Sequence, residues 1–249
     1  MGESARIGAK GDGETDDTKA IQEAIDKYDN IYVPQGWYRI TETLKMKPDT
    51  KLIGLHPFGT QFRLDESTAA FSGFGGPKAM VESSEGGANM LVGIGINTGG
   101  YNYRAVGVKW MANADSYMND VKFVGGHGGL WKPKPGVEEP RGRWNRPARI
   151  SSPDNPVAAS GMDLAWDNQY WSLWVTNNGG GTFKDIWTAS TYATNGFYAN
   201  NTSTPGRIYA MSIEHHVRNE VRFSKVSNWK VYCMQTEEES RESTDCQPI

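Results

Sequence analysis

The sequence predicts an all-β chain folded as a right-handed parallel β-helix, with an N-terminal capping helix and a long loop insertion. Three observations predict it. Short β-rich runs are separated by Gly, Asn, Pro and Asp, in a chain of 249 residues that carries 29 glycines. Only one stretch has helical periodicity, so the repeated βαβ crossovers of a doubly wound sheet are missing. Three segments, Val121-Lys122-Phe123, Phe183-Lys184-Asp185-Ile186 and Val221-Arg222-Phe223-Ser224-Lys225-Val226, alternate apolar residues beside a turn residue. Degenerate coils of roughly 20–40 residues leave this kind of trace. A β-sandwich is the architectural alternative.

The helix is expected over residues 15–28, where Ala20, Ile21, Ala24, Ile25 and Tyr28 share one face. Thr15 is available as N-cap, and Asp16 and Asp17 would sit in the first turn, against the positive end of the helix dipole. An N-terminal helix suits a β-helix because the first coil presents unpaired backbone that needs a cover. Strands are then expected at Asn30–Val33, Trp37–Ile40, Lys51–Leu55, Thr60–Leu64, Met90–Asn97, Ala105–Met111 and Tyr117–Val124. A second set follows at Gln169–Thr176, Gly181–Trp187, Gly196–Ala199, Arg207–His215, Asn219–Val226 and Trp229–Met234. Between them, about residues 128–168, lies a Pro-, Trp- and Arg-rich stretch with little apolar periodicity, expected as a long functional or solvated loop. The whole chain, 1–249, reads as a single β-helix domain and as part of a longer native protein.

Composition excludes several classes. Lys+Arg of 26 against Asp+Glu of 29 gives a net charge of −3, without the basic excess that draws nucleic acid. A mean hydropathy of −0.61 and the lack of any run of about 18 apolar residues argue against a membrane partner. Nine Trp, 11 Tyr and 8 Phe favour a saccharide partner, because sugar C–H faces stack on aromatic rings. No cofactor is called for, and no metal either: Cys233 and Cys246 are too few for a zinc site, and His215-His216 lacks zinc-finger spacing. The two cysteines leave open one disulfide or two free thiols. Met1-Gly2-Glu3-Ser4 has no secretory n- or h-region, so an extracellular location rests on the polysaccharide reading alone. The polar end after Met234 leaves a last coil without an evident cap, which predicts a homodimer through that end.

The run Gly8-Ala9-Lys10-Gly11-Asp12-Gly13-Glu14-Thr15-Asp16-Asp17-Thr18-Lys19-Ala20-Ile21-Gln22-Glu23-Ala24-Ile25, followed by Ile31-Tyr32-Val33-Pro34-Gln35-Gly36-Trp37-Tyr38, resembles the opening of the pectate-lyase-superfamily β-helix. Further on stand Thr182-Phe183-Lys184-Asp185-Ile186-Trp187-Thr188-Ala189, Ile213-Glu214-His215-His216-Val217 and Met234-Gln235-Thr236-Glu237. In that order they resemble the C-terminal β-helix of glycoside hydrolase family 55, the exo-acting β-1,3-glucanases or laminarinases. The resemblance implies hydrolysis of a β-1,3-glucan-like polysaccharide with inversion. It makes Glu237 the general acid and Glu214 the residue that holds the attacking water, with His215 and Gln235 lining a subsite. Ser212 would help to orient the water, and Trp187 and Arg218 would contact the bound sugar.

The spacing of the glutamates agrees independently. Glu214 and Glu237 are about one coil apart, so they can project from neighbouring rungs, whose backbones lie about 4.8 Å apart. Inversion needs roughly 6.5–9.5 Å between the carboxyl groups, so the side chains are expected to splay. His215 and His216 would point to opposite faces of a strand, which leaves one for the cleft and one for the interior. Two rivals remain. A polysaccharide lyase on a uronic-acid polymer would use His215, Arg218 or Arg222 as base and carboxylate partner, and a non-catalytic carbohydrate-binding β-helix would need none of them.

Overall fold

In a computed structural model the described residues are 2–3, 8–124, 169–189, 191, 193–216 and 218–237. The expected loop insertion and Cys246 lie outside them. Strands pair in parallel throughout and wind into a β-helix with three ladders. The first ladder stacks β1 (Gly2–Glu3), β3 (Asn30–Val33), β6 (Lys51–Gly54), β9 (Met90–Val92), the first half of β12 (Tyr117–Val124), the first half of β14 (Gly181–Ala189), β16 (Gly206–Ile208) and β19 (Trp229–Val231). The second stacks β2 (Asp12–Asp16), β4 (Gly36–Arg39), β7 (Thr60–Arg63), β10 (Gly95–Asn97), the second halves of β12 and β14, β17 (Met211–Glu214) and β20 (Met234–Glu237). The third, a separate sheet, stacks β5 (Leu44–Lys45), β8 (Lys78–Glu82), β11 (Ala105–Trp110), β13 (Gln169–Val175), β15 (Ala193–Thr202) and β18 (Asn219–Val226).

Each ladder sends one column of side chains inward. Ile31, Leu52, Leu91, Met118, Phe183 and Ile208 stack in register on the first. Tyr38, Phe62, Ile96, Phe123, Thr188 and Ile213 do so on the second, and Leu44, Val81, Val108, Leu173 and Phe197 on the third. All are buried. Each fully buried Val, Leu, Ile or Phe contributes about 1.5–3 kcal/mol, so these columns dominate the stability of the solenoid. The corner between the first two ladders falls at Gly93, Asp120 and Asp185, whose φ values of 64°, 51° and 51° turn the chain through the left-handed region. Asp185 is therefore a corner residue, anchored by Lys122 Nζ at 2.8 Å from its Oδ1.

Helix α1 (Thr18–Lys27) buries Ile21, Ala24 and Ile25 and packs against β5, the edge of the third ladder. The amide of Gln22 takes the place of a missing strand, accepting from the Lys45 N–H at 2.8 Å and donating to the Lys45 carbonyl at 3.0 Å. The helix starts later than the periodicity suggested. Residues 12–16 pair with β4, so Thr15 is in a strand and Asp17 occupies the N-cap position. The Asp17 carboxylate accepts from the N–H groups of Lys10 and Gly11 at 2.6 and 3.0 Å and makes no cap bond to the helix. The three similar segments are real β structure, but they do not stack as one column: Val121 belongs to the second ladder, Phe183 to the first and Val221 to the third. No described helix is long and apolar enough to cross a membrane.

Candidate functional site

The candidate site lies on the outer side of the second ladder, where it follows from strand alternation. Ile213 and Thr188 point inward, so their neighbours Ser212, Glu214 and Trp187 point out. Register then aligns Trp187 with Ser212 and Gln235, and Glu214 with Glu237, on adjacent rungs. The pairing of residues 23 apart is direct, as the coil length predicts.

Glu214 is the better held of the two glutamates. The Ser212 hydroxyl lies 2.6 Å from Glu214 Oε1 and 2.8 Å from Gln235 Oε1. One hydroxyl has one proton, so Ser212 donates to one of these two oxygens at a time. Gln235 Nε2 lies 3.4 Å from Glu237 Oε2, so Ser212, Gln235 and both glutamates form one chain of contacts. Glu214 has a side-chain exposure of 16% and Glu237 of 53%, which makes Glu214 the anchored carboxylate and Glu237 the mobile one.

The chain turns at His215, with φ 60°, and this corner separates the two histidines as expected. His215 Nε2 lies 4.0 Å from Glu214 Oε2 and 3.7 Å from Glu237 Oε1, while its N–H donates to the Glu237 carbonyl at 2.8 Å. His216 is buried. Its Nδ1 lies 2.9 Å from the Glu214 carbonyl oxygen, and its Nε2 3.2 Å from the Thr188 hydroxyl. The polar Thr188 interrupts an otherwise apolar inward column, and its contact with His216 accounts for it.

Among the described residues, Glu214, His215 and Glu237 are the group able to hold a metal ion, with ligand atoms within 4.8 Å of one another. Bonds of about 2.0–2.2 Å would require the three side chains to draw closer. At their nearest oxygens the two carboxylates, expected to splay, approach within 4.8 Å.

Trp187 is half-buried, one rung from Ser212, with the edge of Phe58 against it at 5.9 Å between centroids. Lys122, its partner on the preceding rung, bonds Asp185 at 2.8 Å and Asp120 at 3.3 Å. Neither Phe58 nor Lys122 was singled out from the sequence, although the alternation in Val121-Lys122-Phe123 already places Lys122 on the outer face. Arg218 stands exposed at the entry to β18, its N–H bonded to the Thr194 carbonyl at 3.1 Å, and its side chain pairs with neither glutamate. Arg222 belongs to the third ladder, over the ring of Tyr198 at 5.1 Å. The arginines of the lyase rival are thus not gathered with the glutamates. Cys233 is exposed and unbonded among the described residues.

Comparison with known proteins follows the same lines. The family described as "Rhamnogalacturonase A/epimerase, pectate lyase-like" matches residues 5–206. A probable glucan endo-1,3-beta-glucosidase of Arthroderma benhamiae is 50% identical over 50 residues, 19% of this chain and 6% of that protein. The preneck appendage protein of Bacillus phage PZA is 45% identical over 47 residues, again 19% of this chain and 6% of the phage protein. The matched segments thus span a small part of either relative. Among solved structures, a Parabacteroides merdae protein whose name proposes a glycosyl hydrolase superposes with a TM-score of 0.50 at 12% identity, covering 92% of this chain and 96% of that one. At that identity the likeness is one of fold.

Proposed function

Because the chain belongs to the rhamnogalacturonase A/epimerase, pectate lyase-like family, we propose that it hydrolyses a β-linked polysaccharide at the Glu214–Glu237 pair. The observation that carries this reading is the register of β17 on β20, which sets two glutamates side by side on the outer face with Ser212, Gln235 and His215 around them. Folds of this kind host many reactions, so the residues and not the fold bear the argument. Two carboxyl groups flanking one position, one to act as acid and the other as base or nucleophile, are the requirement of glycoside hydrolysis. Elimination on a uronate polymer would favour arginines beside the cleft, and Arg218 and Arg222 are held elsewhere.

In the proposed reaction the protonated carboxyl of Glu237 gives its proton to the glycosidic oxygen as the C1–O bond breaks. Glu214, fixed by Ser212, holds the water whose oxygen bonds to C1, and takes the proton that water releases. Trp187 supports a sugar ring one rung away. Room for that water opens when Glu237, half-exposed, rotates outward from its present contact. Without the rotation, the close pair corresponds to the retaining arrangement of about 5–5.5 Å, with Glu214 as nucleophile. A β-1,3-glucan is the substrate favoured by the family 55 resemblance, and such a polymer would be met outside the cell.

The test is product analysis on β-1,3-glucan, β-1,4-glucan, pectin and alginate, with the Glu237→Gln protein as control. Saturated sugars released by the parent and lost in Glu237→Gln are expected. The anomer seen first by NMR decides the route: α from a β-glucan means that Glu237 turns outward, and β means that it stays. Unsaturated ends would move the chain to the lyases, and no turnover on any polymer would favour a binding role.

A further inference from the structure

A cleft of about 490 Å³ opens near the start of the second ladder, lined by Gly11, Asp12, Gln35, Gly36, Trp37 and Gly59. We propose that this cleft is a second saccharide site, selective for a neutral glycan chain and separate from the glutamate pair. Its size falls within the roughly 300–1,000 Å³ of small-ligand pockets. The floor is backbone: the Trp37 N–H donates to the Gly11 carbonyl at 2.8 Å and the Gly36 N–H to the Gly59 carbonyl at 2.9 Å. A Cβ on Gly36 would stand 2.9 Å from the Gly11 carbonyl oxygen, so glycine at this position lets the two segments approach.

From that floor the Trp37 indole rises as a half-buried wall, because its neighbour Tyr38 takes the inward position. Asp12 and Gln35 stand exposed at the rim. Asp12 is fixed by three bonds of 2.8 Å, from the N–H groups of Glu14 and Thr15 and from the Thr15 hydroxyl. An aromatic wall, a fixed carboxylate and an amide match a sugar, which offers a C–H face and hydroxyl groups on one ring. A wall and carboxylate already in place keep the ordering cost of binding low.

Charge selects among glycans. Asp12, Glu14 and Asp16 are exposed along β2, with Lys10 beside them and Arg39 across from Asp16 but paired to Asp65, so the net negative field disfavours uronate and sulfate groups. Position suggests how the site would work. Trp37 heads the outward column of Gln61, Gly95, Lys122, Trp187 and Ser212, in which the loop 55–59 covers Gln61 and Gly95, so a bound chain would cross over that loop. Five rungs at about 4.8 Å put Trp37 roughly 24 Å from the glutamate pair. One loop borders both places, since Gly59 lines the cleft and Phe58 packs on Trp187. A long chain laid along the helix axis would reach both sites and a short oligosaccharide would not. The proposal rests on the hydrolase reading only for the idea that both sites hold one polymer.

The test is an NMR titration of the Glu237→Gln protein, labelled with 15N-tryptophan, using laminarihexaose, cellohexaose and hexagalacturonate as probes. The Trp37 indole resonance is assigned by its loss in Trp37→Phe. A saturable shift of Trp37 with a neutral hexasaccharide is expected, with hexagalacturonate causing little. Gln35→Ala, an exposed change that leaves the fold intact, should weaken the Trp37 response about tenfold, as the loss of a directed contact does. An unmoved Trp37, an equal response to hexagalacturonate or an unchanged affinity in Gln35→Ala would overturn the proposal. The two readings separate cleanly: glucan hydrolysis with a silent Trp37 removes the cleft alone, and a shifted Trp37 in a chain that hydrolyses nothing removes the hydrolase alone.

Discussion

Gln22→Ala is the most direct probe of how the solenoid is closed at its start. The side chain makes two bonds to the Lys45 backbone, at 2.8 and 3.0 Å, and one more to Asp26 Oδ1 at 2.9 Å. An intramolecular hydrogen bond is worth a net 0.5–1.5 kcal/mol or so, and here water can reach the freed groups. Losing the pair to Lys45 should therefore cost about 1–2 kcal/mol. In a chain of this size that lowers Tm by roughly 2–4 °C per kcal/mol, so a drop of about 2–8 °C is expected by calorimetry. Ile25→Ala, which opens a cavity under the same helix, should cost more, about 2–5 kcal/mol. Hydrogen exchange locates the effect: the Lys45 amide should lose about tenfold in protection, while the Leu52 amide within the first ladder keeps its own. Gln22→Glu retains the acceptor for the Lys45 N–H but sets a carboxylate against the Lys45 carbonyl. It should preserve Lys45 protection and still lower Tm. An unchanged Lys45 exchange rate in Gln22→Ala would refute the view that this amide stands in for a strand.

Other expectations follow from single contacts. Ser212→Ala removes the hydrogen bond to Glu214 at 2.6 Å and should lower kcat/KM by roughly tenfold or more, with a Tm drop of a few degrees; a loss under twofold would mean that Ser212 does not position Glu214. Gly206→Ala would bring a Cβ within 2.2 Å of the Trp229 ring, which is stacked on Phe183, so it should destabilise by about 1–3 kcal/mol in a urea melt, and a neutral result would mean that the ring yields freely. For Asp16, burial pulls the carboxyl up, but the hydroxyls of Thr18 and Thr41 and the Thr18 N–H outweigh it and hold it below its ordinary value. A depressed carboxylate contributes stability that is present above its unfolded value and lost as pH falls through the folded one. Thr41→Val should therefore lower stability at pH 7 and shrink the extra loss on acidification below about pH 4, and parallel stability curves for the two proteins would count against this.

Most of the solenoid was legible because its signal is burial. Runs such as Asn30–Val33 and Tyr117–Val124 carry the alternation that fills the inward columns, and their boundaries were read correctly. Elements held by backbone alone left no such trace. Strand β2 has the sequence Asp-Gly-Glu-Thr-Asp and pairs with β4 without burying an apolar side chain, so Thr15 read as a helix cap. The two-residue β5 is too short for periodicity to speak, and β8, Lys-Ala-Met-Val-Glu, buries three consecutive residues and so carries no alternation. Met90–Asn97 read as one strand and is two, because Gly93 turns the corner between ladders. In the site, the glutamate register followed from coil length, whereas His215 and His216 part at a left-handed corner past the end of β17 and not by strand alternation. Nor did the closeness of the carboxylates follow from coil length, since it depends on side-chain contacts through Ser212 and Gln235 that no spacing rule encodes.

The rung that carries Glu237 differs from the rungs beneath it. Where Ile208 and Ala199 are sealed, their successors on the next rung are half open, with Val231 at 47% and Phe223 at 42% exposure. Glu214 belongs to a sealed rung and Glu237 to this looser one. Local opening is least costly where burial is least. Mild urea should thus draw Glu237 away from Glu214 while the rest of the solenoid still gives its full β-sheet spectrum, so that hydrolysis by the proposed pair would be lost well before the fold.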